Sequence, residues 1–437
     1  MAASDENSAS ALGAQVIRKA TWRLIPFMAL LYFINYLDRV NVGFAALTMN
    51  ADLGFSATVY GNGAGILFLG YVFFMVPSNI ILEKVGARQW VAVIMAAWGA
   101  ISAGMAFVQG PTSFYIMRFL LGVAEAGFFP GMILYMTYWF PAHVRARITG
   151  LFLLAVPLSS VLGAPVSSLL LELEGFGLVG WQWMFIIQGV PAIFLTIAVL
   201  RVLTNKPEDA DWLNAEEKSW LAGVMEAERI QKEMHRTTNL AAVFLSVRVW
   251  LFGLMYFGIA IGVYGLTLWL PQIIKGFGGL SNIEVGLLTS VPYALAALGM
   301  FLWGAHSDKT GERTWHVALP SLVGGIALAA SAYMVNVPVL AFVALTIASV
   351  GIYGSLPSFW TLPTGMLSGT AAAGGIALIT AVGNTGGYFG PALVGYIRDA
   401  TQSYTYGLLL LAAFSVMTAV LVLAMSRAKP AAQPAPA

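Results

Sequence analysis

Apolar residues run through this chain in long stretches separated by short polar breaks, and the spacing of those breaks sets the first structural expectation. A bilayer-spanning helix needs about 20 predominantly apolar residues. Runs of that kind lie near 24–46, 58–82, 89–109, 112–135, 146–171 and 181–203, and a second set lies near 246–271, 283–305, 315–335, 338–360, 371–397 and 403–426. The pattern predicts an all-α membrane protein of twelve spans in two sets of six. Residues 1–23 form a polar N-terminal segment, and 24–203 and 246–426 are the two bundles. Residues 427–437 read as a disordered tail rich in Ala and Pro.

Between the sets, residues 204–245 form a linker dense in charge. Trp212, Leu213, Trp220, Leu221 and Met225 alternate there with Glu216, Glu217 and Lys218. That spacing predicts an amphipathic helix lying at the membrane surface. A soluble domain of about 40 residues would be too small to stand alone.

Composition agrees with the pattern. The 437 residues are 59% hydrophobic and 10% charged, with a mean hydropathy of +0.80, whereas soluble domains carry roughly 25% charged residues. The absence of cysteine excludes disulfides, thiolate metal sites and cysteine nucleophiles. The four histidines, His143, His235, His306 and His316, lie in or beside expected loops without metal-ligand spacing. Glycine clusters fall inside apolar helices with no strand before them, so no phosphate loop or dinucleotide fingerprint is present. Neither a cofactor nor a nucleic-acid partner is expected, and no nucleophile constellation marks an enzyme. The first apolar run is too long for a signal-peptide core, so it is expected to remain as a span.

Basic residues set the orientation. Of 22 Lys and Arg, 18 fall on the side of the N-terminus and the linker, and only Lys275 and Arg398 fall opposite. The positive-inside rule then places both termini and the linker in the cytoplasm.

Four charges break the apolar pattern: Asp38 and Arg39 in the first span, Arg118 and Glu125 in the fourth. Each costs about 2.5–3.5 kcal/mol near a bilayer centre on insertion scales, so such residues mark solute or proton pathways. Two acids and two arginines cancel, which suggests that they face a shared polar cavity. Arg118 and Glu125 are two helical turns apart on one face, about 10 Å from each other. Asp38 and Arg39 point about 100° apart. A guanidinium offers planar, bidentate bonding to a carboxylate. The partner of Arg118 is then either an anionic ligand or an internal acid. A desolvated carboxylate gains proton affinity and a nearby arginine removes it. An anion that engages the arginine would therefore promote protonation of the acid, which couples the two binding events.

The two halves repeat a loop. Asn79 precedes Glu83-Lys84-Val85-Gly86-Ala87-Arg88 after the second span, and Gly304 precedes Asp308-Lys309-Thr310-Gly311-Glu312-Arg313 after the eighth. Glu83, Lys84, Gly86, Arg88, Asp308, Lys309, Gly311 and Arg313 are candidate gating residues: the glycines permit a tight turn and the acids can pair with bases at helix ends. A static clamp is the alternative.

The six-plus-six layout with this loop in both halves resembles the major facilitator superfamily over nearly the whole chain. The first copy departs from the pattern, with Asn79 for glycine and Glu83 for aspartate. The strings Asn35-Tyr36-Leu37-Asp38-Arg39-Val40-Asn41, Val76-Pro77-Ser78-Asn79 and Arg118 to Gly131 are similar to those of its anion:cation symporter family, which includes permeases for tartrate, phthalate, hydroxyphenylacetate and sugar acids. The resemblance implies two pseudo-symmetric six-helix bundles, alternating access and proton-coupled uptake of an organic anion by a monomer. It places the proton-coupling acids on Asp38 and Glu125 and the substrate-binding arginines on Arg39 and Arg118.

Further candidates for substrate contact are Tyr36 beside the charged pair, Asn384 among glycines of the eleventh span, and Trp360 near the helix-breaking Pro357 and Pro363. Tyr256, Tyr264 and Trp269 in the seventh span are weaker candidates, because aromatics at helical spacing usually pack. A proton antiporter of the same fold that exports drugs or metabolites is the rival function, although cavity arginines suit an anion better than a cationic drug.

Overall fold

The computed structural model describes residues 2–234, 244–334, 336–366 and 369–427. Ten helical stretches among them are long and apolar enough to cross a membrane. With the first span, which holds Asp38 and Arg39, and with Gly369–Thr401, every apolar run of the sequence is helical. The tail 428–437 lies outside the described residues, as does His235.

In chain order the helices are α1 Ala2–Val40, α2 Val42–Asp52, α3 Ala57–Val85, α4 Ala87–Gly104, α5 Pro111–Glu125, α6 Phe128–Trp139, α7 Ala142–Leu153, α8 Ala155–Leu170, α9 Gly180–Val202 and α10 Ala215–Met234. They continue with α11 Val247–Lys275, α12 Asn282–Thr310, α13 Thr314–Tyr333, α14 Pro338–Met366, α15 Gly369–Thr401 and α16 Thr405–Arg427. Local chemistry sets their ends. The Ser56 hydroxyl accepts from the Val59 N–H at the start of α3. Ser281 and Glu284 form a reciprocal capping box at the start of α12. Gly86 and Gly311 sit at φ +97° and +70° where α3 and α12 stop, a conformation that glycine adopts without steric cost.

The chain divides into two compact units, Met1–Arg236 with Leu280–Ser290, and Thr237–Gly279 with Val291–Ala437. The first unit therefore carries linker residues 204–234 as well as its six spans. Helices here approach without a hydrophobic driving force, so small residues decide which ones touch. A Cβ on Gly122 of α5 would lie 1.9 Å from the Leu67 carbonyl oxygen of α3, and one on Gly70 of α3 would lie 2.4 Å from that of Phe119. Only glycine allows α3 and α5 to meet at these positions. Large apolar side chains such as Phe73, Phe194 and Phe301 are exposed along the spans, as a bilayer solvent permits.

In the linker, α10 packs its apolar face on protein. Leu221 is buried, Trp220 lies against Gly13 of α1, and Trp212 stacks on Trp139 at 5.3 Å. Glu217 accepts from Lys19 and Gln15 of α1, and Glu228 accepts from Arg145 at 2.8 Å and from the Ala142 N–H at 3.0 Å. Asn205 accepts from the Arg88 N–H and donates to Gln89.

Candidate functional site

All four intramembrane charges lie inside the first unit, and each is close to a helix interruption. Asp38 and Arg39 stand in the last turn of α1, which ends at Val40 before the break at Asn41, and a helix C-terminus favours a cation such as Arg39. Glu125 is the last residue of α5, before the turn at Ala126 and Gly127. At Gly127 a Cβ would strike the Ser78 hydroxyl at 1.8 Å, so only glycine lets the chain pass α3 there.

The pairing crosses between helices. Arg39 donates to Oε2 of Glu125 from Nη2 at 2.8 Å and from Nε at 3.1 Å. Its guanidinium carbon stands 4.9 Å from the centre of the Tyr71 ring, a cation–π contact. Asp38 has a separate set of partners. Its Oδ2 accepts from the Trp98 indole at 2.7 Å, and its Oδ1 accepts from the Ser102 hydroxyl at 2.8 Å and the Asn41 amide at 3.3 Å. Arg118 donates to the backbone carbonyls of Gly63 and Ala64 on α3 at 3.3 and 3.1 Å. Asp38, Arg118 and Glu125 are 0% exposed and Arg39 is 6% exposed.

Two polar atoms of the four charged side chains have spare capacity. Nη1 of Arg118 and Oε1 of Glu125 are buried with no hydrogen-bond partner among the described residues. Buried polar groups are nearly always paired, so each orphan calls for a ligand, a water or a proton. An internal ion pair of Arg118 with Glu125 or Asp38, the alternative to an anionic ligand, is not formed; Arg39 takes the Glu125 carboxylate instead.

Tyr36 is buried beside the pair, edge-on to Tyr32. Trp98, Ser102, Tyr71 and the two α3 carbonyls had not been anticipated. Trp98 and Ser102 are four residues apart on α4, and that spacing in an apolar helix was the one legible signal for them.

In the second unit, Trp360 of α14 meets Tyr256 of α11 edge-on at 4.9 Å, and Tyr256 stacks on Phe359 at 5.5 Å. The Tyr256 ring fills the space beside Gly383, next to Asn384, which is 8% exposed. The structure thus brings Trp360 and Tyr256 together beside Gly383, the residue before Asn384. Trp269 is buried and donates to the Pro391 carbonyl at 3.1 Å, so it packs rather than presents a face. Sequence had not indicated Thr267 and Tyr353, whose hydroxyls lie 3.1 Å apart, or Tyr293, which donates to the Thr267 carbonyl.

The repeated loops differ in how they are tied. In the second copy Arg313 bridges Asp308 at 2.6 Å and Ser307 at 2.9 Å. His316 contacts Glu312 at 2.8 Å and His306 at 2.7 Å. In the first copy the Arg88 backbone is tied to Asn205 of the linker.

The family model of the Major Facilitator Superfamily matches residues 28–371. The chain belongs to that superfamily. This transporter is 54% identical over 422 residues to a protein of Agrobacterium vitis provisionally named as a tartrate transporter, across 96% of this chain and 93% of that one. It is 41% identical to a quinolone resistance transporter of Acinetobacter baumannii, across 90% and 91% of the two chains. Among solved structures, a bacterial homologue of the human lysosomal transporter Spinster, inward-facing and unoccupied, matches with a TM-score of 0.75 at 18% identity over 94% of this chain and 97% of that one. That likeness shows the fold. The protein is a multi-pass membrane transporter, not an enzyme.

Proposed function

We propose that this transporter is a proton-coupled symporter that imports a small organic anion, a carboxylate such as tartrate, an aromatic acid or a sugar acid, by alternating access. The observation that carries this reading is the Arg39–Glu125 pair beside an Arg118 with one unused guanidinium nitrogen. A substrate carboxylate that engages Arg118 and competes for Arg39 weakens the hold on Glu125, whose free Oε1 can then take a proton. The cluster has two acids and two arginines. Adding one carboxylate together with one proton leaves the buried charge unchanged, so a dicarboxylate balances two protons, whereas either alone would leave an unpaired charge, which is costly in low dielectric. Asp38 is a second proton site within the electrostatic reach of Glu125 and Arg118.

The similarity to the Agrobacterium protein supports a dicarboxylate. Trp360, Tyr256 and Asn384 are the substrate contacts proposed for the second unit, and the basic-residue bias supports an inner-membrane orientation with the linker in the cytoplasm. We assign the paired loops around Asp308–Arg313 and Glu83–Arg88 to gating.

The test is Glu125→Gln in right-side-out vesicles. Accumulation driven by a pH gradient is expected to vanish, while counterflow exchange of labelled substrate persists. A variant that still concentrates substrate removes Glu125 from the mechanism. The similarity to a quinolone resistance transporter favours a second reading, proton antiport that exports drugs. Reversing the gradient in everted vesicles separates the two, because only an antiporter then loads the vesicle with drug.

A further inference from the structure

The donors around Asp38 are divided by chemical kind. Oδ2 faces the Trp98 indole N–H at 2.7 Å, a group that can donate and never accept. Oδ1 faces the Ser102 hydroxyl at 2.8 Å and the Asn41 amide at 3.3 Å, and both of these can exchange donor for acceptor. Asn41 Oδ1 is itself buried without a partner among the described residues, so an amide turned over would present an acceptor to Asp38. Trp98, Ser102 and Asn41 are all essentially buried, and Trp98 is held edge-on by Phe128 at 5.4 Å.

Among the described residues no salt bridge reaches Asp38, so neutral dipoles hold its anion. The charged groups nearby are Glu125 and Arg118 of α5 and the adjacent Arg39. α8 carries no charged residue, and α4 and α9 carry only Arg88 and Arg201, each near a helix terminus remote from Asp38.

We propose that Trp98, Ser102 and Asn41 are positioning residues that set the proton affinity of Asp38 and direct its proton to Oδ1. In the ionised state all three donate. A proton arriving at Oδ1 forms an O–H bond aimed at Ser102 Oγ or at a reversed Asn41 amide. Ser102 then turns its own hydrogen to a carbonyl of the preceding turn of α4, as serines in helices do. Trp98 stays in place and keeps Oδ2 an acceptor in both states. This inference rests on the reading of Asp38 as a proton site, but it can be tested without transport.

The experiment is an infrared pH titration of the purified full-length protein. The protonated-carboxyl stretch of Asp38 is assigned by its loss in Asp38→Asn. Trp98→Phe removes a donor that holds the anion more strongly than the acid, so the midpoint is expected to rise by about one pH unit, roughly ten-fold tighter proton binding. Ser102→Ala removes a donor to the anion and an acceptor for the acid together, so its shift is expected to be smaller. Ser102→Thr, which keeps the hydroxyl, should leave the midpoint in place. If Trp98→Phe does not fold, benzothienylalanine at position 98 keeps the ring shape and removes the N–H.

An unmoved or lowered midpoint on loss of the indole N–H overturns the proposal, as does a carboxyl band that never titrates. Wild-type protein with a titrating Asp38 but no gradient-driven uptake would overturn the symport reading and leave this inference standing.

Discussion

At the scale of single residues, identity and burial were legible and pairing was not. The insertion cost of a charge predicted that Asp38, Arg39, Arg118 and Glu125 would turn inward, and all four are buried. Their partners depend on which helices touch, and local spacing does not encode that. Arg118 and Glu125 share a helix face, yet Glu125 pairs with Arg39 from α1, and Arg118 bonds α3 carbonyls. Two donors from a planar fork to two carbonyls of adjacent residues make a geometry that lysine cannot copy. Arg118→Lys keeps the charge but reaches at most one of those carbonyls. The expected loss is about 1.5–3 kcal/mol of substrate affinity, roughly ten- to a hundred-fold in the binding constant. Binding of labelled substrate to purified protein measures it. A fall in thermal stability with affinity intact would make Arg118 a brace for α3 rather than a substrate ligand.

At the scale of elements, the twelve apolar runs and the observed helices agree closely, because run length is set by bilayer thickness and by backbone hydrogen bonding alone. The breaks at Asn41 and at Ala126–Gly127 were harder to see. They fall inside single runs long enough to span, and the one at Gly127 depends on the chain passing Ser78 of α3. The linker was read as an amphipathic helix, and the α10 helix is present, but its apolar face covers α1 and its end helix contacts come from α7. Sequence gives the moment of such a helix without the surface that meets it. The Glu217 carboxyl is held below the usual glutamate range, chiefly by the Lys19 ammonium that donates to it and then by the Asn214 N–H. A depressed carboxylate stabilises the folded arrangement fully above its ordinary value, about pH 4.3, and loses that contribution as pH falls through its lowered value. Docking of α10 on α1 is therefore expected to be insensitive to pH between about 5 and 8 and to loosen in stronger acid. Glu217→Gln should loosen it at neutral pH as well, by a small amount because Lys19 is 41% exposed. Limited proteolysis within residues 204–234, run at pH 7 and pH 4, reads both effects; equal cleavage of wild type and variant would show that the contact contributes nothing.

At the scale of the whole molecule, contacts divide the chain between residues 236 and 237, inside the charged segment 204–245 that links the two sets of apolar runs. Residues 204–234 of that segment are tied to the first unit through Trp212 on Trp139, Glu228 on Arg145 and Asn205 on the Arg88 backbone. The Tyr135 hydroxyl adds a bond to the Thr204 carbonyl at 2.9 Å. Each of these links binds the segment to a helix of the same unit, so α10 moves with that unit if the two halves move relative to each other during transport. The consequence can be tested by cutting the chain. Co-expressed fragments 1–236 and 237–437 cut the chain where the main segment of the first unit ends, keeping α10 with the helices it packs on, and should reassemble with most of the uptake activity retained. Fragments 1–203 and 204–437 would instead attach α10 to the other half by sequence while its binding surface stays on the first. That pair is expected to express more weakly and to transport several-fold less, measured as initial uptake rate per assembled complex. Equal activity of the two pairs would mean that the docked linker is dispensable, and the unit boundary would then carry no functional weight.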